Sequence, residues 1–154
     1  MPRRFAPVLL FSLAAFAADW NEARANGAAF EQSVAASQRL LHAWLREADP
    51  KTLLLPDRIG AKANHLYTPH NSGADLYPYL IITAELTDPD LYHGRMMEML
   101  RNEIRYTNAR GAVPANYDLA TGALGPPSLF GAGEYAKDGL VSVTEQLGRT
   151  PWFY

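Results

Sequence analysis

The sequence predicts an all-α fold of antiparallel α/α hairpins, and three observations carry that prediction. Amphipathic and apolar helical stretches alternate along the chain. Long glycine- and proline-bearing connections alternate with one short turn. Finally, Ile82-Thr83, Leu86 and Pro89 recur as Val143-Thr144, Leu147 and Pro151, an offset of about sixty residues of the kind that marks stacked helical pairs. Helices wetted on one face thus alternate with helices enclosed more fully, an outer and an inner set. At 154 residues the chain has room for one domain.

The first seventeen residues have the layout of a secretory signal: Arg3 and Arg4, an apolar run from Phe5 to Phe16, and Ala15 and Ala17 in an A-x-A arrangement. Cleavage is expected after Ala17, leaving 18–154 as the helical domain. The alternative is a transmembrane anchor, which needs about 20 apolar residues, and Asp19, Glu22 and Arg24 arrive too soon for that. No stable membrane span is therefore expected after cleavage. Removing the signal takes away two arginines and no acids, so the formal net charge moves from −2 to −4. A nucleic-acid binder would carry a basic face, and a protein for polyanionic polysaccharides would gain from the same field; neither is favoured. The chain has no cysteine, which excludes disulfides and thiolate sites. Export without disulfides suits a bacterial periplasm or the medium.

In the mature chain Asn26 is a candidate N-cap. Behind it Phe30, Val34, Leu40, Leu41, Trp44 and Leu45 fall at helical spacing between Glu31, Gln38, Arg39, Arg46 and Glu47, and Asp49-Pro50 ends the helix. Residues 51–71, with Pro56, Gly60 and Pro69, read as a long loop in which Leu53-Leu54-Leu55 forms a short strand or tucks under the fold; loops of such length are uncommon and often functional. An apolar helix follows, with Leu76, Tyr77, Tyr79, Leu80, Ile81, Ile82, Ala84 and Leu86. Pro78 constrains its start: Asp75 as N-cap keeps the proline in the first turn, where amides have no partner, whereas a Ser72–Asp75 box leaves it interior and the helix bent.

Thr87-Asp88-Pro89 supplies a cap and a first-turn proline for a third helix. Tyr92, Met96, Met99, Leu100 and Ile104 line one side of it, and His93, Arg95, Glu98, Arg101, Asn102 and Arg105 the other. From Thr107 to Gly133 a second long connection, rich in glycine and proline, shows no regular element. The fourth helix, Glu134 to Leu147, is mostly apolar beyond its first turn, and Gly148 closes it.

Paired helices at this spacing, with long connections at one end, resemble the (α/α)6 toroid of the six-hairpin glycosidases and their polysaccharide-lyase and epimerase relatives. The resemblance covers Asn26 to Pro151 and is architectural, without a diagnostic motif. In that fold class six pairs close a ring, and the site lies where the long loops meet the N-terminal ends of the inner helices. The resemblance implies that His65, Tyr67, His70, Asn71 and Asp75 gather there from the first pair, and Asn116, Tyr117, Asp118, Glu134 and Asp138 from the second. Two pairs do not close a ring, which implies truncation and an apolar surface at Leu80, Ile82, Leu140 and Val143 where neighbours are missing. The alternative is a complete four-helix bundle.

Glycoside hydrolysis needs two carboxyl groups about 5–10 Å apart, and Asp75, Glu134 and Asp138 are the acids expected to be catalytic. Glu134 and Asp138, four apart, share a helical side, although acids near a helix start are also favoured by its dipole, and Asp75 also reads as a cap. His70, Asn71 and Tyr117 are the expected substrate contacts. His65 and His70, five apart in a loop, do not match metal-site spacing, so no metal and no cofactor is expected. Gly131-Ala132-Gly133 lacks the ending of a phosphate loop, and no serine lies in Gly-x-Ser-x-Gly. The expectation is an exported, periplasmic or extracellular N-terminal fragment of a carbohydrate-active protein, inactive alone, with carbohydrate as its ligand and no nucleic-acid partner. A small exported helical binding or scaffold protein, burying its apolar face in an oligomer or complex, is the rival reading.

Overall fold

Two of the helices start from one small sheet, and that sheet is where the sequence showed no regular structure. The computed structural model describes residues 6–108 and 114–149; Arg3, Arg4, Phe5 and Pro151, each used above, lie outside them. Among the described residues the chain is mostly helical, with four long helices and a three-stranded antiparallel sheet. The all-α expectation holds in the main, and the small sheet is an addition the sequence did not announce.

Helix α1, Ala6–Arg46, runs without a break, so Asn26 lies in its interior and caps nothing. The chain divides into two units, with the boundary after Ser37. In the first, Trp20 and Phe30 are exposed. In the second, Leu41 and Leu45 of α1 enter the core, while Leu40 stays outside.

After α1 the chain turns on Asp49, whose Oδ2 accepts from the Lys51 and Thr52 amides and the Thr52 hydroxyl. Leu53 closes the turn with a left-handed backbone, φ 61°, which bulky residues rarely adopt. The return is that Leu54 and Leu55 tuck fully into the core. The expected long loop then contains a single helical turn, Gly60–Lys62, and strand β1, Leu66–Tyr67.

Helix α2 (69–87) begins at Pro69, not at Asp75. Thr68 is its N-cap, accepting the Asn71 amide, and Pro69 occupies the first position, where a missing amide proton costs nothing. Asp75 is inside the helix, as is Pro78. The interior proline is accommodated because the turns over Pro69–Leu76 are wide, with the Tyr77 amide reaching back five residues to the Ser72 carbonyl. Pro78 therefore falls where the regular four-residue ladder has already been left. The helix is not enclosed all round: Tyr79 is 39% and Leu86 75% exposed on one flank, with Leu80, Ile81 and Ala84 buried on the other.

Helix α3 (89–107) starts as expected, with the Asp88 carboxylate accepting the Leu91 amide ahead of Pro89. Asn102, assigned to its wet side by the sequence, is buried. The second long connection is corrected most. It holds β2, Ala115–Asp118, and β3, Leu124–Pro127. Strand β2 is central: Tyr117 lies opposite Tyr67 of β1 on one edge and Leu124 of β3 on the other, with a bulge between Ala115 and Tyr117.

Helix α4 (129–147) follows directly, capped by Ser128, whose hydroxyl accepts the Gly131 amide, so Glu134 lies inside it. Gly148, φ +72°, ends it as expected. The first half of α2 packs on the first half of α4, and the second half on the second, so the two run in the same direction. Of the residues expected to form an apolar opening, Leu80 and Val143 are fully buried and Ile82 and Leu140 are half-buried, with Val141 beside Leu140 exposed at 48%.

Candidate functional site

The wide first turns of α2 present two unlike sides. Inward, Gly73 faces the deepest polar cluster of the fold. The Tyr67 hydroxyl donates to Oε1 of Glu103, a carboxylate of α3 with no solvent exposure, and Tyr77 and Tyr135 pack around the pair. The Tyr67 and Tyr77 rings meet edge to face at 6.2 Å. A Cβ at residue 73 would stand 2.7 Å from the Tyr67 hydroxyl, 2.8 Å from the Tyr135 ring and 3.0 Å from the Glu103 carboxylate, so only glycine lets β1, α2, α3 and α4 close here. Burial, and then the Glu103 charge, push the Tyr67, Tyr77 and Tyr135 hydroxyls well above their ordinary range. All three stay protonated at neutral pH; the Tyr67 hydroxyl donates to Glu103, and the Tyr77 hydroxyl accepts the Leu55 amide.

Outward, the same turns border an open hollow of about 310 Å³. Asp57 is among its lining residues. That carboxylate accepts the Thr68 amide at 3.0 Å, the Thr68 hydroxyl at 2.9 Å, the Asn71 side-chain amide at 3.3 Å and the Ser72 hydroxyl at 2.8 Å. A carboxylate so supplied, at a helix start, is a structural cap reached from another segment. Asp75 and Asn71 line the hollow together with Arg58, Trp44 and Leu76. Asp75 is exposed.

Of the expected acids, Asp75 alone lines this hollow. Glu134 and Asp138 sit on α4 with Lys137 between them, 3.3 Å and 3.2 Å from their oxygens. Hydrogen bonds that Lys137 donates to Asp138 first, then to Glu134, hold its ammonium above the ordinary range. His70 stands at the start of α2 with its ring 6.2 Å from that of Phe130, at the start of α4. Tyr117 is buried in β2 with its ring 5.7 Å from Tyr106, supporting the sheet. Asp118 caps the turn between β2 and β3; the Thr121 amide chiefly, with the Ala120 amide, holds its carboxyl below the usual range.

Sequence reasoning missed Asp57, Arg58, Trp44 as a site residue, and Glu103. For Glu103 a signal existed: it falls at the spacing of Met96, Met99 and Leu100, on the apolar stripe of α3. For Asp57 none did, because its role rests on pairing across eleven to fifteen residues of irregular chain.

A second hollow, apolar and about 500 Å³, lies along α4, lined by Leu140, Val141, Thr144 and Glu145. Among the described residues, the buried Thr144 hydroxyl has no hydrogen-bond partner. No group of three or more acids and histidines among the described residues could hold a metal ion, and no described helix is long and apolar enough to cross a membrane. Comparison with protein-family models, curated proteins and solved structures found no match to this chain.

Proposed function

We propose that the chain is part of an exported carbohydrate-active protein built of α/α hairpins in the manner of the (α/α)6 toroids, and that it contributes one wall of a saccharide site. The reading draws its support from one observation above all: strands from the two long connections pair in a single sheet, and α2 and α4 both leave that sheet in the same direction. A toroid gathers its inner helix starts at one rim in this way. Asp75 and Asn71 are the wall's substrate-facing groups, with His70 beside them at the same helix start; Glu134 and Asp138, bridged by Lys137, form a charged edge on α4, and Tyr117 supports the rim from beneath. The apolar hollow at Leu140 and Val141 is the seat of a further helix pair, and the chain by itself is inactive.

Screening the secreted chain on a glycan array, with Asp75→Asn alongside, tests this. Retention of glycans by the parent and their loss in the variant is the expected outcome. An array blank for both would overturn the reading. Export is checked by intact mass, which should begin at Ala18.

A second reading has its own observation. Tyr79 and Leu86 on α2 and Val141 on α4 are apolar and exposed, which suits a small exported helical binding or scaffold protein that buries such residues on a partner. It predicts a defined oligomer by light scattering, and glycan behaviour indifferent to Asp75→Asn.

A further inference from the structure

The hollow beside the wide turns of α2 carries a more specific assignment, one that rests on the saccharide reading above. A volume of about 310 Å³ lies at the lower end of the ~300–1,000 Å³ range of small-molecule sites, which suits a single sugar ring. Its polar groups are complementary in a particular way. Asn71 gives one amide proton to Asp57, leaving its side-chain carbonyl as an acceptor and its second N–H as a donor. Asp75 is a second acceptor, exposed and able to take two hydroxyl protons at once. Arg58 is the donor, also exposed, and Trp44 gives a half-buried indole for the C–H face of a ring.

Charge then selects among sugars. The hollow holds two carboxylates, Asp57 and Asp75, against one guanidinium. A uronate or sulfated ring would bring a further anion into a net negative hollow in a chain that is already acidic. A neutral ring has hydroxyls that donate to Asp75 and Asn71 and accept from Arg58, and it carries no such penalty.

We infer that the hollow formed by Trp44, Arg58, Asn71 and Asp75 is a subsite for one neutral hexose unit. Trp44 is the stacking group and Asp75 the acceptor that fixes the ring.

The test follows the indole N–H resonance of Trp44, assigned with Trp44→Phe, while the full chain is titrated with cellotriose, maltotriose and trigalacturonate. A saturable shift of Trp44 with at least one neutral trisaccharide is expected, with trigalacturonate weaker by about tenfold or more. Asp75→Asn should weaken the neutral sugar by about tenfold while leaving the other resonances in place. If saccharides move resonances elsewhere and Trp44 stays still, the assignment of the hollow fails and the broader carbohydrate reading stands. If trigalacturonate binds as well as or better than the neutral sugars, the charge argument fails. If no saccharide shifts any resonance at millimolar concentration, both readings fail together.

Discussion

The inner and outer sides of residues 69–76 are separated by a single helical turn, yet they solve opposite problems. On the inner side, Gly73 is pressed against Tyr67, Tyr135 and Glu103, and the buried polar atoms answer one another. On the outer side, Asp57 is saturated by internal donors while Asp75, two residues past Gly73, faces an open hollow. Position along the helix decides the difference. Side chains two apart point to different sides of a helix, so one widened turn can be held rigid from within while it offers polar groups outward. The packed inner side fixes the backbone of the turn that carries the exposed Asp75.

Substitutions that break the inner side should cost the most. Glu103→Ala removes a buried side chain and leaves the Tyr67 hydroxyl without its acceptor, so a loss of about 3–4 kcal/mol in urea unfolding is expected. Gly73→Ala places a methyl within 3.0 Å of three fixed groups and should cost about 2–3 kcal/mol, read from the same curves. Alkali attacks the same cluster. The folded-state hydroxyls of Tyr67, Tyr77 and Tyr135 are raised above the unfolded value. The unfolded chain therefore releases protons first, and stability that is complete below about pH 10 falls as pH rises beyond it. The slope is about 1.4 kcal/mol per pH unit for each tyrosine. Tyr77→Phe should make that decline shallower by one proton in pH-dependent melting.

The rim between the two sides should give smaller effects. Thr68→Ala removes the cap of α2 and one donor to Asp57, for about 1 kcal/mol. On the outer side, Asp75→Asn should change stability by less than about 0.5 kcal/mol, and its effect should appear in ligand affinity instead.

Much of the helical plan was legible because it is written locally. Asp88-Pro89 announced α3, Gly148 announced the end of α4, and the apolar spacing located the helices themselves. The starts of α2 and α4 were not legible for a shared reason. Pro78 and the glycines Gly131 and Gly133 look like boundaries, whereas the true caps, Thr68 and Ser128, precede them by several residues. Widened turns absorb the proline, and no local pattern encodes a widened turn. The sheet was hidden because its strands are two to four residues long and contain Gly125, Pro126 and Pro127; their existence depends on Tyr67 meeting Tyr117 from fifty residues away. Of the site, Asp75 and Asn71 were named from the sequence and share the hollow. Arg58 and Trp44 belong to segments that only folding brings beside them.

Gly73 and Asp75, two residues apart, permit the most direct test of the division between a packed inner side and an exposed outer one proposed to face a ligand. Melting temperature and neutral-trisaccharide affinity should be measured together for Gly73→Ala and Asp75→Asn. The account predicts a large fall in melting temperature for the first, and for the second an unchanged melting temperature with affinity reduced about tenfold. A destabilised Asp75→Asn, or a Gly73→Ala as stable as the parent, would contradict it.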